Sequence, residues 1–509
     1  MSTFPIDTVD NSEHPFVNLS HVLLQTITNN LYNIDRICFT FVCQRWYRQK
    51  DDYLLLETLG VPVSAEINEF KHKRVLKSYL KIIEFSLLIK RETHLLIAGE
   101  QSEIDMLTWL SLDYMLLPDK PIPSSVTRLE LGDTFNQPLS VLETLPTSSI
   151  RIMSSKSFNQ PLEAKMFPPT LTELYLGKSF NQKLTPGCLP STLKSITFGW
   201  DFCQDINPGV LPDGLLKLRY SHHWYITVVP NSIPSSVVDI EYFPVGSLHL
   251  LPTSVTRLHL FLLHDMTIPV GAIKSHVVDL EVGNFAFQFA EGMLPPSLTK
   301  LHMGTVYNHP VTKGVFPDTL TELQVSSALK YPMGPGVLPL GLKKIQFGYC
   351  WNIPLEPADI PDSVTYLRFE GQFDQPIHHH VLPKNLETLH FGDSYNQILK
   401  PGVLPQTLKT LIFGSSYQRV VHPDTYPVGM STLTVRSFKF FEVNRPNDLP
   451  KTITSIEAYG LYRTALRRLN DSLFLGVGGK FKSSFIRSDH HFMDDVESII
   501  KMEGISFSF

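Results

Sequence analysis

The chain returns to one short pattern at an almost constant interval of 22 residues. Each unit opens with an apolar or aromatic residue, and we take the next residue, usually proline, as the anchor of the unit. The anchors are Pro123, Pro146, Pro168, Pro190, Pro212, Pro234, Pro252, Lys274, Pro295, Pro317, Pro339, Pro361, Pro383, Pro405, Pro427 and Pro450. Eleven of the fifteen intervals are 22 residues, two are 23, one is 21 and one is 18. A period held over this many units predicts a solenoid, in which each unit buries its apolar face against its two neighbours.

The apolar residues inside each unit predict a short strand. They stand three, six and eight residues after the anchor, as at Leu171, Leu174 and Leu176. The last two alternate with an outward position, which is the pattern of a strand with one buried face. Glycine often follows, as at Gly177, and we expect the chain to leave the strand there in a tight turn. The other residues of the unit include Pro and Gly, so we expect extended or short 3-10 return arms.

A large aromatic residue marks the return arm, usually twelve residues after the anchor. This position holds Phe135, Phe158, Phe180, Phe202, Trp224, Tyr307, Trp351, Phe373, Tyr395 and Tyr417. Because it is the main apolar group of the arm, we expect it to fill the second half of the coil's core. Asparagine often comes next, as at Asn159, where its side chain can hydrogen-bond the turning backbone.

Composition and charge limit the classes of function. The formal net charge of −5 provides no basic footprint, so we expect no nucleic-acid partner. Five scattered cysteines favour a reducing compartment, and neither a signal peptide nor a membrane-spanning run is recognisable. We therefore expect a cytoplasmic protein, with the nucleus as a further possibility, that is monomeric on its own and carries no cofactor.

Two local motifs invite a chemical role, but simpler interpretations are favoured. Three consecutive histidines at 378–380 diverge on extended backbone and have no second ligand cluster at a fitting spacing, so we expect a solvated turn. The glycine-rich stretch at 476–480 lacks the spacing of a phosphate-binding loop. No catalytic or metal-binding constellation stands out, and we expect no enzymatic activity.

The repeat resembles a known family. The pattern Leu-Pro-x-Ser/Thr-Leu-x-x-Leu-x-Leu-Gly-x-x-Phe-Asn-Gln-Pro-Leu is similar to the FNIP repeat, a leucine-rich-repeat-like motif of slime moulds and some giant viruses, and 135–139 and 158–162 read Phe-Asn-Gln-Pro-Leu verbatim. The resemblance covers roughly residues 121–460 and implies a repeat solenoid of the α/β class, with a parallel sheet on one face and small helical caps at both ends. The units over 212–274 depart most, and the short Pro234 unit predicts a local irregularity.

The segment before the repeats predicts a small helical module. Apolar residues over 18–47 follow two helical faces. The segment also resembles an F-box, with Val42-Cys-Gln-Arg-Trp46 on the family's Val-Cys-x-x-Trp signature, although Ser20 and Arg36 depart from the family's usual Pro and Leu. The resemblance implies docking of a Skp1-like subunit through an apolar set. That set is Leu19, Leu23, Leu24, Ile27, Leu31, Ile37, Val42 and Trp46.

The remaining segments complete the domain organisation. We expect a disordered N-terminus over 1–17, the F-box-like module over 18–60, and a linker and N-terminal cap over 61–120. About 15 repeat units fill 121–460, and a C-terminal cap over 461–509 has helical candidates near 463–475 and 493–503.

Two columns of residues should point outward from the strands. The column five residues after the anchor runs from Arg128 and Arg151 to Tyr366, with strictly alternating charge between Lys217 and Lys344. It predicts either a recognition stripe or a cross-strand ion ladder, and the alternation favours the ladder. The column seven residues after the anchor is less self-complementary and suits a protein interface. The residues proposed to bind a target are Met153, Tyr175, Arg219, His259, His302, Tyr366, Arg368, His390 and Ile412.

Two functions remain open from these patterns. The preferred one is a substrate-recognition adaptor of an SCF-type ubiquitin ligase, with a Skp1-like subunit on the F-box-like module and an unknown protein target on the solenoid. The alternative is an interaction scaffold unrelated to ubiquitin, in which the N-terminal helices only cap the solenoid.

Overall fold

Short parallel strands, one in each coil, form the framework of the repeat region. The computed structural model describes residues 109–112, 127–131, 135–139, 150–220, 227–261, 267–437, 439–444, 449–459, 463–470, 473–477 and 483–487. The chain divides into two compact units, one of residues 92–430 and one of residues 1–91 with 431–509.

The unit of residues 92–430 contains fifteen described strands, and each pairs in parallel with the next along the chain. The strands are β1 (Trp109–Leu112), β2 (Arg128–Leu131), β3 (Ile152–Ser155), β4 (Glu173–Tyr175), β5 (Ser195–Thr197), β6 (Lys217–Arg219), β7 (Asp239–Pro244), β8 (Arg257–Phe261), β9 (Asp279–Gly283), β10 (Lys300–His302), β11 (Glu322–Gln324), β12 (Lys344–Phe347), β13 (Tyr366–Phe369), β14 (Thr388–His390) and β15 (Thr410–Phe413). The predicted solenoid with a parallel sheet is confirmed. The sheet begins one strand earlier than the repeat pattern indicated, because β1 lies before the first anchor.

The return arms pack their aromatic residues into a continuous stack. Phe373 and Tyr395 lie in neighbouring coils with ring centroids 5.9 Å apart and an interplanar angle of 3°. Phe158 and Phe180 repeat this geometry at 6.1 Å and 4°. All four rings are buried. The prediction that this aromatic position fills the second half of the core is confirmed.

Glycine after the strand is required by the neighbouring coil and not by a left-handed turn. A Cβ atom on Gly392 would lie 1.7 Å from the backbone oxygen of Glu370, one coil earlier. At Gly177 the corresponding contact is 2.2 Å, to the oxygen of Ser155. The stacked backbones therefore pass too close to each other for a side chain at these positions.

Left-handed backbone occurs instead at the turn that ends each return arm, just before the anchor. Gly209 has a φ of +80° there, and a Cβ atom would meet nothing within 4 Å. Three other coils place a side chain in the same conformation, with φ values of 71° at Lys165, 71° at Ala358 and 66° at His380. His380 ends the histidine run, which is exposed in this turn.

The asparagine of the Phe-Asn-Gln pattern joins neighbouring coils. The side-chain oxygen of Asn159 accepts hydrogen bonds from the backbone N–H of Asn181 at 2.9 Å and from Gln182 Nε2 at 3.0 Å. Asp374 occupies the same position in a later coil and accepts from the backbone N–H of Asn396 at 2.8 Å. Asparagine thus does bond backbone, as predicted, but the backbone belongs to the next coil.

A second ladder runs through the Ser/Thr residue two positions after the anchor, whose role the sequence did not reveal. Thr192 Oγ1 donates to the carbonyl of Leu171 at 2.8 Å, and Ser363 Oγ donates to the carbonyl of Leu342 at 2.7 Å. These hydroxyls satisfy carbonyls of the preceding coil next to the buried core, where an unpaired carbonyl is costly.

The short Pro234 unit is irregular, as its interval predicted. Its strand β7 has a bulge, since Ile240 pairs with Leu258 and Phe243 with Leu260. The 3-10 helix Val245–Leu250 follows directly and replaces the usual return arm. Its buried side chains, Val245 and Leu248, fill the core where other coils place an aromatic residue.

The described part of the second unit is also mainly β-structure. Strands β16 (Thr432–Val435) and β17 (Ser455–Tyr459) are parallel, and the one-turn helix α1 (Phe440–Val443) lies between them in the chain. Strands β18 (Arg463–Asn470), β19 (Leu473–Val477) and β20 (Ser483–Arg487) continue from β17 as an antiparallel sheet.

The helix predicted near 463–475 is therefore wrong. Residue Leu466 pairs with Ile456, both side chains are buried, and the Arg468 backbone N–H donates to the carbonyl of Thr454 at 3.0 Å. The open edge of β17 provides hydrogen-bonding partners that override the local helical pattern.

Several N-terminal predictions lie outside the described residues. The disordered segment 1–17, the F-box-like module over 18–60 with its apolar docking set, and the cap over 61–120 apart from β1 belong to this group. The helix predicted near 493–503 does as well. They remain predictions.

Replacing Ala358 by glycine should stabilise the protein, because a side chain in the left-handed region costs about 1 kcal/mol. The matched change Gly209→Ala should destabilise the protein by a similar amount, since the φ values at the two sites are 71° and 80°. Chemical denaturation of both variants measures the two shifts. Shifts of the same sign would contradict the assignment of strain to this turn.

Loss of the Asn159 side chain should lower the free energy of unfolding by about 1 kcal/mol, because two donors of the next coil lose their acceptor. Asn159→Asp should retain most of the stability, as Asp374 performs the same role in its own coil. Urea denaturation of Asn159→Ala and Asn159→Asp tests this difference. Equal losses in the two variants would show that the acceptor oxygen is not what matters.

Candidate binding surface on the strand face

The strand face consists of the two outward-pointing columns of the parallel sheet. Cross-strand pairing defines the first column, five residues after most anchors, as Arg128, Ile152, Glu173, Ser195, Lys217, Asp239, Arg257, Asp279, Lys300, Glu322, Lys344, Tyr366, Thr388 and Thr410. The second column, two residues further on, includes Ser154, Tyr175, Thr197, Arg219, His259, Glu281, His302, Gln324, Gln346, Arg368, His390 and Ile412. Every coil contributes at most two of these side chains, so the face is long and narrow.

The outward placement predicted for Met153 and Arg151 is wrong. Met153 is 3% exposed and pairs with Leu174 in the buried column. The unit that opens at Pro146 has one extra residue before its strand, so Ile150 fills the core position that Leu171 fills in the next unit. Ser154 therefore takes the outward place opposite Tyr175.

The first column forms an ion ladder. Asp239 bridges two cations, with Lys217 Nζ at 3.5 Å and Arg257 at 3.4 Å, and Arg257 Nε contacts Asp279 at 3.1 Å. Lys300 Nζ continues the pattern with Glu322 at 2.8 Å. The cross-strand ladder is thereby confirmed for these strands. Pairs of this kind contribute about 0.2–1 kcal/mol each.

A bulge brings a tyrosine onto the second column that the sequence analysis missed. Tyr242 has a φ of +60°, which turns its ring onto the strand face between two predicted site residues. The Arg219 guanidinium lies 4.8 Å from the ring centroid and donates to the Tyr242 hydroxyl at 3.1 Å. The His259 ring packs on the other side at 4.5 Å. The interval of 18 residues was the signal that the strand here is unusual, but it did not identify the residue displaced.

Glu281 is held by two imidazoles. Its carboxylate lies 3.2 Å from His302 Nδ1 and 3.7 Å from His259 Nδ1. The hydrogen bond from His302 holds the pKa of Glu281 below its ordinary value, although burial acts in the opposite direction. Burial lowers the pKa of His259, against the opposing influence of Glu281 and Glu241. The structure thus brings Arg219, His259 and His302 into one cluster.

The C-terminal strands carry a second group of predicted residues. Lys344 Nζ lies 5.3 Å from the centroid of the half-buried Tyr366 ring. Arg368 contacts Glu370 at 3.0 Å, and Gln346 donates to the same carboxylate at 2.7 Å.

The last two predicted positions differ from each other in exposure. His390 is on the outward column but only 4% exposed, so its neighbours cover it and it offers little contact surface. Ile412, the next residue of the column, is half-buried.

At the other end of the face, Tyr175 is an exposed aromatic residue. It is 39% exposed, and its hydroxyl donates to Glu173 at 2.9 Å. Burial of the hydroxyl and the bond to Glu173 raise the pKa of Tyr175. A fixed, exposed ring of this kind is well suited to anchor a protein partner.

The geometry of the face is that of a recognition surface. Its ionic groups are paired with each other across strands, and its exposed groups are aromatic, aliphatic and polar. No group of three His, Cys, Asp or Glu residues is placed to hold a metal ion within the part of the chain that is described. Helices among the described residues are too short or too polar to cross a bilayer.

Acidification below about pH 6.5 should destabilise the protein through His259. The lowered pKa of His259 means that the unfolded chain binds this proton first, so the free energy of unfolding falls as pH falls. His259→Gln should reduce the slope of stability against pH between about 6.5 and 5. Denaturation at several pH values measures the slope, and an unchanged slope in the variant would exclude His259 as its source. The lowered pKa of Glu281 adds a further loss only at more acidic pH.

Comparisons with known proteins place this architecture. The FNIP Repeat family matches residues 117–153, 142–179, 158–199, 180–220, 285–328, 307–350, 331–372, 351–392 and 373–416. Together these segments cover 117–220 and 285–416, and they leave out the irregular coils between them. No curated protein matches the sequence.

A solved structure extends the likeness to the fold. CroV588, described as a novel circular LRR protein, is 27% identical to this chain, with a TM-score of 0.50. The match covers 69% of this chain and 59% of that protein. The chain therefore carries FNIP repeats across residues 117–416, arranged in a solenoid similar to that of a leucine-rich-repeat protein.

Proposed function

We propose that this chain is a non-catalytic protein–protein interaction protein whose strand face binds a protein target. FNIP repeats and a leucine-rich-repeat-like solenoid are typical of interaction scaffolds, and neither comparison indicates an enzymatic family. The observation that carries the proposal is the row of outward side chains fixed on fourteen successive parallel pairings. Such a row needs no rearrangement to meet a partner, which lowers the entropic cost of binding.

The distribution of charge on the strand face supports a protein partner with mixed polarity. Carboxylates such as Asp239 and Glu322 are already paired with cations on the neighbouring strand. A partner must therefore gain its affinity from the uncharged and aromatic members of the face. Tyr175, Tyr366 and Ile412 are the predicted anchors at the two ends, and the Arg219–Tyr242–His259 cluster lies between them.

The finer proposal is an adaptor of an SCF-type ubiquitin ligase. Its support is the F-box-like pattern over 18–47, with Leu24 and Ile27 on the apolar docking face and a Val-Cys-x-x-Trp signature at its end. In this role the chain supplies proximity and choice of target, while other subunits carry out the chemistry.

A scaffold unrelated to ubiquitin is the second candidate. The observation that favours it is the edge of the repeat sheet, because β1 already adds a strand before the first anchor, within the segment expected to cap the solenoid. A solenoid end needs a cover for its core, and the helical pattern over 18–47 could serve as that cover alone.

One pull-down experiment separates these functions. The full chain, the double variant Leu24→Glu with Ile27→Glu, and the double variant Tyr175→Ala with Tyr366→Ala are used to capture proteins from a eukaryotic cell lysate. Under the adaptor proposal, a Skp1-like protein is recovered with the wild type and with the tyrosine variant, but not with the glutamate variant. Its absence from the wild type would leave the scaffold.

The same experiment tests the strand face. Truncating two anchor residues should weaken target binding by roughly 30-fold or more, since hot-spot residues contribute about 2 kcal/mol each. Val428→Ala is the matched control, because this residue is 80% exposed and is not part of the strand face. A target that binds the tyrosine variant and the wild type equally would show that the strand face is not its site.

A further inference from the structure

The return arms carry an apolar column of their own, distinct from the strand face. Fifteen residues after the anchor, six consecutive coils place an exposed apolar residue, and we name these six the return-arm stripe. The stripe consists of Pro310, Pro332, Pro354, Pro376, Ile398 and Val420. Ile398 and Val420 are 63% and 65% exposed. The preceding coil ends the stripe with the exposed polar Gln288.

The stripe is held rigidly from beneath. The residue after each member points inward, as the buried Leu355, Ile377 and Leu399 do. On the same arm, stacked rings keep neighbouring coils 5.6–5.9 Å apart between centroids. Proline loses no rotamer entropy on burial, so covering four prolines costs less than covering flexible side chains would.

The dimensions of the stripe indicate the strength of an interaction. Five steps of about 6 Å give a length of about 30 Å, and an extended arm of five residues adds a width of about 13 Å. The projected area is about 400 Å², which is within the range of large surface patches on monomers and below the roughly 800 Å² per partner of a standard interface. An association through the stripe is therefore weak and depends on concentration.

We propose that the return-arm stripe pairs with the same stripe of a second copy, in an antiparallel two-fold arrangement. Equal spacing makes the stripe complementary to its own reverse. With the axis between Pro354 and Pro376, each of these residues meets the other in the partner copy, and Pro332 meets Ile398. The sequence patterns alone led to the expectation of a monomer, and the stripe points to a reversible dimer.

The flanking columns favour this arrangement. In the antiparallel pair, Glu356 of one copy faces His378 of the other, and this contact occurs twice. On the other flank, Lys330 faces Asn396, and Asn352 faces Asp374. No two like charges meet along the columns thirteen and seventeen residues after the anchor. A self-complementary flank of this kind is what an isologous interface requires.

Sedimentation equilibrium of the full chain tests the proposal from micromolar to submillimolar concentration. The wild type should pass from monomer to dimer over this range. Ile398→Glu should remain monomeric, because it buries a charge in the apolar contact. Leu340→Glu, at an 84% exposed position outside the stripe, should dimerise like the wild type. Circular dichroism verifies that both variants keep their fold.

A mixing experiment tests the orientation. Pro332→Lys should also be monomeric alone, and an equal mixture with Ile398→Glu should restore the dimer, since the two new charges face each other in the antiparallel pair. A wild type that stays monomeric throughout would overturn the proposal. So would a dimer that Ile398→Glu leaves intact, or a mixture that remains monomeric.

Discussion

The backbone hydrogen bonds between neighbouring strands set the position of almost every other group in the repeat region. They hold successive coils in register, so that a residue such as Leu174 has Met153 and Ile196 as its direct neighbours. Strands of three to five residues suffice for this, because the same bonds recur in each coil. Any side chain therefore meets its own equivalent, one coil before and one coil after. The chemistry of each position must be compatible with a copy of itself.

That requirement explains which residue types fill the columns. Flat aromatic rings stack on themselves, as Phe373 and Tyr395 do at 5.9 Å. Asparagine both accepts through its side chain and donates through its backbone, so one residue type can form a continuous ladder. Charged residues cannot repeat without repulsion, and they alternate in sign where they occur, as Lys217, Asp239 and Arg257 do. Glycine is needed where two backbones pass closer than a Cβ atom permits.

The sequence predicted the features that depend on periodicity. The period, the strand in each coil, the buried aromatic column and the irregular Pro234 unit all follow from spacing alone. It failed where spacing alone was not enough. Met153 was assigned outward because the extra residue of its unit lies before the strand, and an interval cannot show on which side of the strand an insertion falls. The strands of 463–477 were taken for a helix because their partner, the edge of β17, is a tertiary feature.

The candidate binding surface shows the same division. Its columns were predictable, but Tyr242 was not, because a bulge breaks the rule that successive residues alternate between faces. The bulge lies in the coil that departs from the 22-residue period, where the ladders on either side are interrupted. A regular solenoid presents nearly the same surface at every coil, so it cannot by itself tell a partner where to bind. The irregular coil, with Arg219 and His259 against the displaced ring, is the one place on the strand face that a partner can distinguish from its neighbours.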